Sequence, residues 1–180
     1  MNEQKILIFQ YLHYQLLKWY KENNSNLSIN DNDLSILKSM KLLFFTVSVN
    51  CKDSNSLLDS PFNNFVAMPY GHVELSIYNE VNNPFSNLSL SIGKRKTEFI
   101  DENMNFSSID STMKQRVDDS INRLKLLNKN IINYSAFELV ELSHKWDSWK
   151  KYFNEANSNG SRIKRIPPEA IKNEDKFYIL

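Results

Sequence analysis

Ser135 and Glu138, three residues apart at the head of an apolar run, constrain this chain more than any other feature because together they fix where a helix begins. In a capping box the serine hydroxyl accepts the N–H of the third helical residue, and the glutamate there reaches back to the serine N–H. Tyr134 before the cap and Leu139 one turn later are spaced as a hydrophobic staple, so a helix over 135–142 is expected. Downstream, Asp147 is placed to cap a short helix that carries Trp149 and Phe153 inward, and 157–161 reads as a flexible loop.

The same reading gives the other elements. Phe9, Leu12, His13, Leu16, Trp19 and Tyr20 recur at helical spacing and predict a first helix from about residue 3 to 21. Asp31 or Asp33 can cap a second, carrying Ile36, Met40, Leu43, Phe44 and Val47; it is apolar nearly all round at 42–45 and should lie centrally. Residues 52–64 read as a polar connection, and Val73, Ile77 and Tyr78 suggest a short helix from Gly71 to about 81, stopped by Asn82-Asn83-Pro84. Alternation over 88–92, a Gly93-Lys94 turn and a return over 97–99 suit a small hairpin. Asp110 or Ser111 opens a third long helix through Met113, Val117, Ile121 and Leu124, and Pro167-Pro168-Glu169 a final turn. The fold class expected is mainly α: a compact single-domain helical bundle spanning 1–180 with one small β-hairpin.

Composition narrows the function. A chain of 180 residues supports one sizeable core. A net charge of +1 supplies no broad field for phosphate backbones, so nucleic acid is an unlikely partner. The single cysteine, Cys51, excludes an intrachain disulfide and a multi-cysteine zinc site, and reads as a small core residue at a helix end. No apolar run reaches the roughly 18 residues of a membrane span, and the start lacks signal-peptide features, so a cytoplasmic protein without membrane partners is expected.

The histidines are the first place to look for chemistry. His13, on an apolar face, reads as a core residue. His72, expected at a helix N-terminus, would be held neutral there and available as a base or ligand, but no second ligand stands at metal-binding spacing. His144, near a helix end beside Trp146 and Trp149, reads as a structural clamp or a partner contact. With three glycines and no Gly-x-Ser-x-Gly elbow or phosphate loop, neither a catalytic set nor a cofactor is expected, and the protein is read as a non-enzyme. Asp118-Asp119 reads as a solvated face. Lys94-Arg95-Lys96 and Arg162-Ile163-Lys164-Arg165 are short basic clusters in exposed loops, candidates for partner binding. Tyr70, Tyr78, Trp146, Trp149 and Tyr152 suit either core packing or an interface.

Three blocks, in order, resemble a known family. Leu37-Lys-Ser-Met-Lys41-Leu-Leu-Phe-Phe45 is similar to the N-terminal helix of the Panacea, or SocA-like, domain; Phe65-Val-Ala-Met-Pro-Tyr70-Gly71-His72-Val73, continuing to Tyr78, to its central block; Glu138-Leu139, Ser143-His144 and Trp149-Lys150 to its C-terminal one. The resemblance covers about 34–178 and departs at His72, where the family usually has Pro, and at Met68, where it usually has Trp.

That resemblance implies a bacterial or phage antitoxin that neutralises a cognate protein toxin, usually the product of an adjacent gene, by direct binding. It marks Lys41, Tyr70, Gly71, His72, Val73, Tyr78, Glu138, Leu139, His144 and Trp149 as scaffold or partner-contact residues. The rival readings are a DNA-binding regulator or phage-encoded interaction protein, and a small hydrolase using His72 or His144.

Overall fold

The computed structural model describes residues 3–86, 88–101 and 104–180. Among them are seven α-helices: α1 (Glu3–Asn23), α2 (Ile36–Ser48), α3 (Leu75–Val81), α4 (Ser111–Leu127), α5 (Ala136–His144), α6 (Asp147–Ser158) and α7 (Pro168–Asn173). Five short strands accompany them: β1 (Phe65–Met68), β2 (Gly71–Glu74), β3 (Leu90–Ile92), β4 (Thr97–Phe99) and β5 (Lys164–Arg165). The fold is mainly α, as expected.

Helix α2 is the axis. Met40, Leu42, Leu43, Phe44, Phe45 and Val47 are all buried, so no face is left for water, and the helix must be enclosed. It is enclosed by α1, α4, α5 and β2. The β3–β4 hairpin lies over 88–100 as expected, and its turn is pinned to the start of α2 by Ile36 N–H donating to the Gly93 carbonyl at 2.9 Å.

Antiparallel β1 and β2 pair Phe65 with Glu74 and Met68 with Gly71, and β5 adds to the other edge of β1. This corrects the helix expected from Gly71. Pro69 and Tyr70 form a two-residue turn, in which proline presets its own φ and Gly71 takes φ +98°, a conformation costly for any residue with a Cβ. Helix α3 begins only at Leu75, where the Glu74 carboxylate accepts the Ile77 N–H at 2.9 Å. The apolar spacing of Val73, Ile77 and Tyr78 spans a strand and a helix.

Three boundaries also move. Ser35, not Asp31 or Asp33, caps α2, because Asp33 is engaged by Lys38 Nζ at 2.6 Å. Trp146 occupies the cap position of α6 and Asp147 its first turn, where a carboxylate favours the positive helix end; the helix then runs through Ser158, past the start of the expected loop. The Ser135–Glu138 capping box and the Asp110 cap of α4 form as expected.

The two tryptophans differ in depth. Trp149 packs inward against the core as expected but keeps some exposure, whereas Trp146 is fully enclosed among Phe44, Phe45 and Tyr178 and donates its indole N–H to the Phe177 carbonyl at 3.1 Å. Trp146→Ala should therefore destabilise by about 3–5 kcal/mol, the range for removing a buried aromatic, and Trp149→Ala by less. Denaturant melts of the two variants check the order.

Candidate functional site

The family-motif residues converge at the β1–β2 hairpin. Lys41, on the buried face of α2, donates its ammonium to the His72 carbonyl at 2.6 Å and is fully buried, with no ion pair among the described residues. Burial holds its pKa well below the ordinary lysine value. Gly71 lies beside it: a Cβ there would stand 2.4 Å from Ser143 Oγ and 2.8 Å from Lys41 Nζ.

His72 is the centre of the buried polar set. Its Nδ1 is 3.0 Å from Ser143 Oγ and its Nε2 2.8 Å from Ser148 Oγ, while its own N–H donates to Ser143 Oγ at 3.2 Å. Two hydroxyls, each able to donate or accept, satisfy the neutral ring in either tautomer. The ring stacks on Phe44 at 3.7 Å and 6°. Desolvation, then repulsion by Lys41, His144 and Lys176, drives its pKa well below the usual imidazole value. Beyond Ser148, whose N–H donates to Glu174 Oε2 at 2.6 Å, burial pushes the Glu174 carboxyl up.

A second layer holds the turn. His144 stacks on Trp149 at 3.6 Å, Trp149 stacks on Phe153 at 5.1 Å, and the Trp149 indole N–H donates to the Met68 carbonyl at 2.8 Å. Burial and then Lys41 lower the pKa of His144, against the pull of the Pro69 backbone. His144 thus packs on Trp149, and its stacked ring leaves both readings of its sequence position, clamp and partner contact, open. His72, which would have sat at a helix terminus, is instead a strand residue whose nitrogens are both occupied.

The remaining predicted residues separate. Leu139 is buried in α5, and Glu138 is spent on its capping box. Val73 and Tyr78 line an apolar groove of about 460 Å³ with Met40, Met68 and Tyr70. Lys94, Arg95 and Lys96 are exposed on the β3–β4 turn; Arg162, Lys164 and Arg165 lie on and before β5, in a different sheet. Lys164 is held by Glu155 at 2.7 Å and Lys96 by Glu98 at 2.8 Å. Lys164 and Arg165 form a strand where a loop was expected. His13 is buried as expected, with Nε2 2.9 Å from Thr97 Oγ1, and Cys51 is buried just beyond α2. Asp118 departs from the solvated-face reading, since it accepts the Tyr11 hydroxyl at 3.0 Å.

The chain matches the family described as antitoxin SocA-like, Panacea domain, over residues 40–150. It belongs to that family. No curated protein and no solved structure matches it. The matched Panacea segment contains Lys41, the hairpin, α5 and Trp149, the parts that build the buried site. Among the described residues no helix is long and apolar enough to cross a membrane, and no cluster of three or more His, Cys, Asp or Glu side chains is arranged to hold a metal.

Sequence reasoning missed Glu74. Its carboxylate, fully buried, accepts Lys5 Nζ at 2.5 Å and the N–H groups of Asn64 and Ile77, tying α1, the start of β1 and α3 to one point. The local signal was there: an acid three residues before Ile77 is an N-cap pattern. The partner sixty-nine positions away was not visible. Ser148 and Glu174 carried no signal at all.

Gly71→Ala adds a strained φ and a clash with Ser143, and should cost about 2–5 kcal/mol; a melting temperature equal to wild type would refute the close approach. For pH, both His72 and His13, the latter lowered to about 3 by burial, stay neutral in the folded chain. Their contribution is complete above the unfolded pKa of about 6.5 and is lost as the pH falls, by up to about 1.4 kcal/mol per pH unit for each ring. Melting temperatures should accordingly drop between about pH 6.5 and 5, and a flat profile would refute the neutral rings.

Proposed function

We propose that the protein is the antitoxin of a toxin–antitoxin pair: it binds a cognate protein toxin, the product of an adjacent gene, and blocks it by occupancy in the cytoplasm. It acts without catalysis of its own. Membership of the antitoxin SocA-like family supports the general role. The observation that carries the finer reading is the orientation of the shared residues. Lys41, Gly71 and Leu139 are spent inside the fold, and His72 at the family's proline position meets two serines and a phenyl ring rather than open space. These residues build a frame, and the exposed surface around it is left for the partner.

A hydrolase needs a nucleophile and base reachable by substrate, and the buried His72 argues against that rival. The regulator reading is weakened by the separation of the two basic clusters onto different sheets, since a nucleic-acid face needs its cations together.

Blocking by occupancy requires a stable interface, typically about 1,200–2,000 Å² in total. The expected result of co-expressing the protein with the adjacent gene is rescue of growth and recovery of both products in one complex by pull-down. A neighbour that is harmless alone, or toxic yet neither bound nor rescued, would overturn the proposal.

A further inference from the structure

We infer that the toxin docks in the apolar groove between α2 and the β1–β2 turn, through a segment that offers one bulky apolar side chain with a carboxylate beside it. This rests on the antitoxin reading and names the surface and the chemistry by which it would operate.

The groove is lined mainly by apolar side chains. Leu37 and Met40 of α2, Met68 and Tyr70 of the hairpin, and Tyr78 of α3 line it. Its volume of about 460 Å³ has room for a large side chain together with part of its neighbours. The patch does not stop at the groove: Tyr70, 57% exposed at the tip of the turn, meets the 65%-exposed Phe137 of α5 edge-on at 6.4 Å. Two large aromatic rings in water next to an apolar hollow mark an interaction surface rather than scattered exposure.

The wall is also preorganised. The carbonyls of Met68 and His72, flanking the turn, accept Trp149 Nε1 and the buried Lys41 Nζ, and the backbone of Gly71 is packed against Ser143. A turn held on both sides loses little freedom on binding, which is where association energy is otherwise spent.

Charge decides the occupant. Lys94 lines the groove, and among the described residues neither it nor Arg95 forms an ion pair, whereas Lys96 beside them does. The Gly93 carbonyl bound to Ile36 N–H fixes this turn against the start of α2, so Lys94 stands at the groove on an anchored turn, with Arg95 next to it in the chain. An unpaired lysine beside an apolar floor complements an apolar anchor flanked by an acid. A second copy of the chain fits less well, because two-fold pairing of like patches would bring the Lys94 and Arg95 rims together.

The test uses the purified full chain and the product of the adjacent gene, inactivated if necessary for expression. Tyr70→Ala should weaken binding by about 30-fold or more, as loss of an interface anchor does. Lys94→Glu with Arg95→Glu should slow association about tenfold and flatten its dependence on salt. Both variants should melt like wild type, and Leu126→Ser, on the solvent face of α4, should bind normally. A benzoylphenylalanine at position 70 should crosslink to the toxin, and one at 126 should not.

If wild type binds and rescues while the Tyr70 and cation variants do so equally well, the groove is not the docking site and the antitoxin reading survives. If wild type neither binds nor rescues, that reading fails and this one with it. Binding lost in Tyr70→Ala but indifferent to salt and to the charge reversal removes the carboxylate from the proposal. A wild-type dimer in light scattering that Tyr70→Ala converts to monomer would give the groove to a second copy and overturn it.

Discussion

The close approach of β2 to α2 and α5 at Gly71 is the contact on which the rest of this structure depends. A strand edge can come this near two helices only where a side chain is missing, and at Gly71 even a methyl would intrude on Ser143 and Lys41. The positive φ at the same residue turns the chain so that His72 enters the interior between Ser143 and Ser148. One residue therefore sets both the distance and the direction. From it follow the burial of the imidazole, the capture of the His72 carbonyl by Lys41, and the outward position of Tyr70, the residue just before it.

Buried charge is handled differently at each place it occurs. Glu74 and Lys5 form an ion pair whose carboxylate also receives two backbone N–H groups, so its burial is compensated. Lys38 keeps Asp33 as its partner, although burial outweighs that attraction and lowers its pKa. Lys41 has a carbonyl instead of a carboxylate, and burial lowers its pKa with no opposite charge to offset it. Interior polar groups of this kind add little stability compared with apolar packing, but they permit few alternative arrangements. The hairpin register, which carries the exposed turn, is held by just such groups.

The division between frame and surface also explains the two departures from the usual family pattern. His72 stands where proline is usual and lies in a strand, where it donates its N–H to Ser143; a proline could not make that bond. Met68, standing where tryptophan is usual, gives its carbonyl to Trp149 and leaves its side chain on the groove wall. Both changes thus fall on the hairpin, the part of the frame closest to the proposed interface.

What the sequence determined by itself was the set of elements whose signals are local. The Ser135–Glu138 box, the Asp110 cap, the all-round apolar stretch of α2 and the β3–β4 alternation each arise from residues within a turn or two of one another, and each appeared where the pattern put it. The family was legible for the same reason, since its blocks are short and contiguous. The tertiary structure decided the rest. Gly71–Glu74 became a strand because β1 offered its hydrogen bonds and α2 and α5 offered cover, overriding a helical spacing that was real but shared between two elements. It buried Trp146 in preference to Trp149, joined Glu74 to Lys5 and His72 to Ser148, and left Lys94 at the rim of a groove whose walls lie far apart in the chain. Such contacts form between residues with no local preference for one another, so only the packed chain brings them within reach.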